Sequence, residues 1–217
     1  MIAARHTFKD PEELARHFAA DVAAVLRQEL PDKERAVLAV SGGTTPQLFF
    51  EALSREKLDW TRVLVTLVDE RQVDDTSPRS NAKLVKANLM RHQAAKATFV
   101  PLYQNPVAAS LPSFDVAVLG MGNDGHTASF FPGGDTLAEV LSPDSPPLVD
   151  LTAPGSGEPR VTFSLQRLLN AGKLCLHIQG QEKMDTLEKA LGPGDVLAMP
   201  IRAVLRSNKP IELYWCP

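Results

Sequence analysis

A chain of 217 residues is long enough to bury one sizeable core, and 44% hydrophobic against 23% charged residues excludes a disordered or fibrous protein. The formal net charge of −3 gives no general attraction to nucleic acid or an anionic membrane, so an anionic ligand needs a local group of positive side chains. The N-terminal MIAARHTFKD lacks the apolar core of a secretory signal, no run approaches the ~20 apolar residues of a membrane span, and the two cysteines have no metal-type spacing. The expectation is a cytoplasmic protein, one domain over residues 1–217 with room for a small subdomain, with Cys175 a buried thiol.

Asp10-Pro11-Glu12-Glu13 reads as a helix start, with Asp10 as N-cap, Pro11 at the first helical position and Glu13 completing a capping box. Leu14, Phe18, Val22, Val25 and Leu26 then recur at helical spacing until Pro31, and His17 falls off that stripe as a solvated residue. Residues 37–40 form a short β-forming run, followed by Ser41-Gly42-Gly43-Thr44-Thr45-Pro46 and a helix carrying Leu48, Phe49, Phe50 and Leu53. A glycine turn between strand and helix frees backbone N–H groups for an anion, which makes Gly42, Gly43 and Thr44 candidates. A tight turn with no ligand is the alternative, and the lack of Gly-Lys-Ser/Thr excludes a Walker loop.

Residues 63–68 form a second buried strand ending in Asp69-Glu70-Arg71, three charges placed where a parallel strand leaves the core and ligands gather. A solvated loop explains them equally well. After a polar loop, Ser80 or Asn81 caps a helix carrying Leu84, Val85, Leu89 and Met90, with His92 at its end in a capping role. Short strands follow at 99–102 and 114–119, and the second delivers the chain into GMGNDGHTASFFP, residues 120–132. The stretch 132–159 reads mostly as loops with one strand, Leu148–Leu151, ahead of Arg160, the 161–163 run and a helix around Leu165–Leu169. The strand 173–178 carries His177 as a packed or edge residue, and Gly180-Gln181-Glu182-Lys183 opens a helix marked by Met184, Leu187 and Leu191. Lys183 in a first helical turn is disfavoured by the helix dipole unless an anion binds there. A short helix near Ile201–Leu205 and a strand at 211–215 close the chain.

Strands alternating with helices predict an α/β fold, a mainly parallel sheet with helices on both faces. Segments 41–46, 69–71, 120–127 and 180–183 each follow a strand, so a parallel sheet brings all four to one edge. Residues 120–125 satisfy G-x-G-x-x-G, yet the last glycine runs into His126 and reaches Pro132 within two turns, leaving no long helix for a dinucleotide pyrophosphate. The glycines instead let the backbone surround a small ligand and set His126, whose imidazole type can exchange a proton near neutrality. Asp124, two residues before it, is a candidate orienter, and Asp69 is the other.

SGGTTP at 41–46, DER at 69–71, Ser80-Asn81, GMGNDGHTASFFP, Pro159-Arg160-x-Thr162 and GQEK at 180–183, in this order, resemble 6-phosphogluconolactonases. That family is similar in fold to glucosamine-6-phosphate deaminase and ribose-5-phosphate isomerase, a modified Rossmann-like α/β sheet that binds no dinucleotide. The resemblance implies no metal or organic cofactor, a phosphorylated sugar lactone as substrate, no nucleic-acid or membrane partner, and a monomer or weak homodimer. It implies His126 as general base with Asp124 or Asp69, Arg71 and backbone N–H groups at the oxyanion, and the phosphate on Gly42, Gly43 and Thr44 with Arg160 and Lys183. The deaminases read DGHIAFNEP in the same block, and their catalytic glutamate aligns with Phe131 here, which speaks against amino-sugar deamination. One departure is Asp74, where many lactonases have proline. The alternatives are a sugar-phosphate isomerase or deaminase, and a non-catalytic sugar-phosphate sensor.

Overall fold

The computed structural model describes residues 1–154 and 156–217. The first strand, β1 (Ile2–Thr7), is followed by α1 (Pro11–Glu29). The start of α1 is held by the Asp10 side chain, which accepts the Glu13 N–H at 2.7 Å, and by Glu13 Oε2, which accepts the Lys9 N–H at 3.0 Å. This reciprocal pair satisfies two N–H groups that the helix cannot. Next come β2 (Ala36–Val40), α2 (Gln47–Ser54), β3 (Val63–Leu67), β4 (Asp69–Arg71), α3 (Asn81–Asn88), β5 (Thr98–Val100) and β6 (Val116–Leu119). The second half holds α4 (Leu137–Leu141), β7 (Leu148–Leu151), β8 (Arg160–Phe163), α5 (Leu165–Leu169), β9 (Lys173–Gln179), α6 (Gln181–Leu191), α7 (Ile201–Leu205) and β10 (Ile211–Cys216).

The large sheet has the order β1-β10-β9-β6-β2-β3-β5, and every pairing in it is parallel. This is the expected α/β architecture. All residues of β2, β3 and β6 are buried, as strands covered on both faces require. The helices pack in two groups, α1 to α3 and α4 to α7, with α1 and α6 resting on strands of this sheet. Phe18 of α1 stacks between Phe49 of α2 and Tyr214 of β10, with ring centroids 4.3 and 4.1 Å away, and pins the first group in place. Cys175 is buried, and burial pushes its thiol up.

Several details differ from the sequence expectation. The strand β1 was not predicted: IAARHT has a half-exposed, alternating edge and little β-branching, and its order comes from parallel pairing with β10 at the far end of the chain. Residues 69–71, read as charges on a loop, are a strand in a second sheet of order β4-β8-β7, antiparallel throughout. The stretch 132–159 contains the one-turn α4 as well as β7. His92 does not cap α3, which ends at Asn88; it opens a short 3₁₀ turn with φ of 49°. His17 is exposed as expected and stacks on Phe8 at 5.4 Å.

Candidate active site

In the order β9-β6-β2-β3, four neighbouring parallel strands end on one edge, and their carboxyl ends carry residues 180–183, 120–127, 41–46 and 69–71. These segments and Arg160 of β8 surround a cavity of about 280 Å³, the scale of one small molecule. His126, Asp69, Gly42, Gly43, Thr44, Arg71, Arg160 and Lys183 all line it. Asp124 does not line the cavity; it stands behind His126.

Residues 120–132 form no helix, and hydrogen bonds from Gly122 N–H to the His126 carbonyl (2.9 Å) and from Gly125 N–H to the Gly122 carbonyl (3.0 Å) close a tight loop. Gly125 has φ of 80°, a region closed to most side chains. Gly122 is required for a different reason: a Cβ there would lie 2.2 Å from Cε1 and Nδ1 of His126, so the ring rests on bare backbone. His126 Nδ1–H donates to Asp124 Oδ1 at 2.6 Å, and the same oxygen accepts the His126 backbone N–H at 3.0 Å. The hydrogen bond to His126 holds the Asp124 carboxyl down at about 2, against the opposing effect of burial. Asp124 is therefore an acceptor at any physiological pH, which fixes the Nδ1–H tautomer and leaves Nε2 free to take a proton. Phe131 packs against the ring with centroids 4.5 Å apart and the two planes tilted by 32°.

Positive charge enters from two sides. Lys183, in the first turn of α6, donates to Thr45 Oγ1 at 3.3 Å, and burial holds its pKa below the ordinary lysine value. Among the described residues no carboxylate forms an ion pair with it, the setting in which an anion is favourable. Beside Lys183, Gly43 has φ of 95° and open space where a Cβ would stand, while Gly42 lies so close to Asn81 that a Cβ would be 1.9 Å from Oδ1. On the other side, β4 and β8 set Arg71 opposite Arg160. Both have a buried Nε without a hydrogen-bond partner, and burial, then the charge of Arg71, lowers the pKa of Arg160. Arg160 is 5% exposed, sits 5.3 Å from the Phe131 centroid and has Glu158 as its ion-pair partner at 3.8 Å.

Asp69 is placed differently from Asp124. It is 6% exposed, and its Oδ2 accepts the Ser129 hydroxyl at 2.6 Å. Its neighbour Glu70 points the other way and caps α3, accepting from the N–H groups of Asn81 (2.8 Å) and Ala82 (2.7 Å) and from Ser80 Oγ (3.1 Å). Asn81 in turn donates through Nδ2 to the Asp69 carbonyl at 3.0 Å while packing on Gly42. Adjacent residues of one strand thus hold two walls of the cavity. The roles of Glu70, Asn81 and Ser129 were not read from sequence. His177, read as a packed or edge residue, is packed on a central strand and also lines the cavity; its place at the carboxyl end of a strand was the available signal. Burial, and then the charge of Lys183, holds its pKa down to about 3, so it is neutral.

Residues 9–215 match the family described as glucosamine-6-phosphate isomerases/6-phosphogluconolactonase. The chain belongs to this family. It is 48% identical over 232 residues to the 6-phosphogluconolactonase of Rhizobium meliloti (strain 1021), with 100% of both chains covered. With that of Pseudomonas aeruginosa PAO1 it shares 43% over 221 residues, 94% of this chain and 91% of the relative. Among solved structures it is similar to a 6-phosphogluconolactonase from Shewanella baltica OS155, with a TM-score of 0.94, 35% identity and coverage of 99% and 97% of the two chains. Among the described residues no helix is long and apolar enough to cross a membrane.

Proposed function

We propose that the protein hydrolyses 6-phospho-D-glucono-1,5-lactone to 6-phospho-D-gluconate, the ester-hydrolysis step of the oxidative pentose phosphate pathway, with His126 as general base. The observation that carries this reading is a tautomer-fixed imidazole set between two cationic sides of one small cavity. His126 Nε2 takes a proton from water as the water oxygen bonds to C1 of the lactone. The carbonyl oxygen becomes an oxyanion, with Arg71 and backbone N–H groups as its donors, a contribution of ~2.7–4 kcal/mol per donor in comparable sites. When the tetrahedral intermediate collapses, the C1–O5 bond breaks and His126 returns its proton to the departing ring oxygen, which becomes the C5 hydroxyl. Lys183 and the turn of Gly42, Gly43 and Thr44 hold the phosphate through charge-assisted and backbone hydrogen bonds, with Arg160 as a further cation.

Phe131 supports hydrolysis over amino-sugar deamination, because an aromatic ring packs against His126 where that chemistry needs a carboxylate. We further propose that the protein works in the cytoplasm as a monomer or weak homodimer, without a nucleic-acid partner. Incubation with fresh 6-phosphogluconolactone, glucosamine 6-phosphate and ribose 5-phosphate, with product detection for each, tests the assignment. Turnover of the lactone alone is expected. Turnover of either sugar phosphate in its place, or binding without any turnover, would replace this reading by an isomerase, a deaminase or a sensor.

A further inference from the structure

We propose that Ser129 is a positioning residue for His126 and that Asp69 is its anchor, rather than a proton acceptor for the imidazole. The inference rests on the reading of His126 as the base. Ser129 is fully buried and does not line the cavity, so it has no route to substrate. Its hydroxyl nevertheless ends on Asp69 Oδ2, 2.6 Å away and 60 residues apart in sequence. Among the described residues the His126 ring has a single hydrogen-bond partner, Asp124.

The turn between His126 and Phe131 explains what this bond does. Phe130 N–H donates to the Thr127 carbonyl at 2.9 Å, and Ala128 inside that turn has φ of 47°. A non-glycine residue holds such a conformation only where its neighbours over-determine it. Two side chains flank Ala128 and do so. Thr127 Oγ1 donates to the Gly120 carbonyl at 2.7 Å, which ties the turn to its own loop. Ser129 ties it to β4, the opposite wall of the cavity. That wall is itself fixed, since the Asp69 carbonyl accepts from Asn81, whose N–H is held by Glu70. Without the Ser129 bond, Ala128 is free to relax, and His126 and the Phe131 ring packed against it lose their common frame. The Asp124–His126 hydrogen bond, which lies within one short segment, survives.

The test uses Ser129→Ala, Asp69→Ala, their double variant and Asp69→Asn, each checked for folding. Ser129→Ala should lower kcat roughly 10–100-fold through misplacement of the base, with KM within about threefold of the parent and the acid limb of the pH–rate profile unmoved. The double variant should lose no more than Asp69→Ala alone, because both remove one bond. Asp69→Asn keeps an oxygen that can accept from Ser129 and should retain more kcat than Asp69→Ala, a comparison that stands even if Ser129→Ala does not fold. A Ser129→Ala kcat within twofold of the parent, multiplicative losses in the double variant, a shifted acid limb, or equal losses in the two Asp69 variants would overturn the proposal. Absence of lactone turnover by the unaltered protein would instead overturn the function on which it rests.

Discussion

Gly122→Ala places a methyl group directly against the catalytic ring. The new Cβ would lie 2.2 Å from Cε1 and Nδ1 of His126 and 2.7 Å from Asp124 Oδ1. Non-bonded carbon contacts settle near 3.5–4.0 Å, so the ring has to retreat by about 1.3 Å or more. That displacement breaks the 2.6 Å bond to Asp124. Misplacement on this scale costs about 10²-fold in rate, and losing the tautomer-fixing carboxylate can raise the loss to about 10⁴-fold. In transition-state terms this is about 2.7 to 5.4 kcal/mol. The fold is little affected, because Gly122 is not among the residues of positive φ and the half-buried His126 can swing toward solvent. Any gain from a less flexible unfolded chain is about 0.4–1 kcal/mol, so stability should stay within about 1 kcal/mol of the parent. The assay is initial-rate formation of 6-phosphogluconate alongside a urea melt. A Gly122→Ala protein that keeps kcat within threefold of the parent would refute the claim that the ring's seat on bare backbone sets its catalytic position.

Lys183→Ala should lower kcat/KM for the phosphorylated lactone by roughly 10–100-fold, the scale of one charge-assisted hydrogen bond, and Arg160→Ala should weaken the same parameter; an unchanged value removes the residue from the phosphate site. His177 gives a prediction about acid stability. Its folded pKa of about 3 lies below that of an unfolded imidazole, ~6.5, so between those values the unfolded chain binds a proton that the fold does not. Stability should fall as pH drops through that window, with His177 contributing roughly 3 kcal/mol of the loss by pH 4; urea melts of His177→Asn should show a shallower pH dependence, and identical slopes would contradict it.

Much of the architecture was legible because it is written locally. The capping box at Asp10 and Glu13, the apolar runs of β2, β3, β6 and β9, and the glycines around His126 each report on a few consecutive residues. What escaped depends on partners far along the chain. A strand of three charged residues, Asp69–Arg71, carries no apolar signal and exists because β8 pairs with it. The choice between Asp124 and Asp69 as the partner of His126 was open for the same reason, since nothing in the spacing shows that Ser129 occupies Asp69. The double duty of His177 as core and cavity wall likewise follows from β9 lying between β10 and β6, which only the strand order reveals.

The central claim is that His126 takes the proton from water, and kcat of a folded His126→Ala variant on fresh 6-phosphogluconolactone, with the parent measured from pH 5 to 8, tests it most directly. The variant should lose roughly 10²–10⁴-fold in kcat, and the parent rate should fall on acidification, as general-base catalysis requires, with Asp124, at about 2, ionised throughout. Near-parental kcat in the folded variant, or a flat parent profile over that range, would contradict the account.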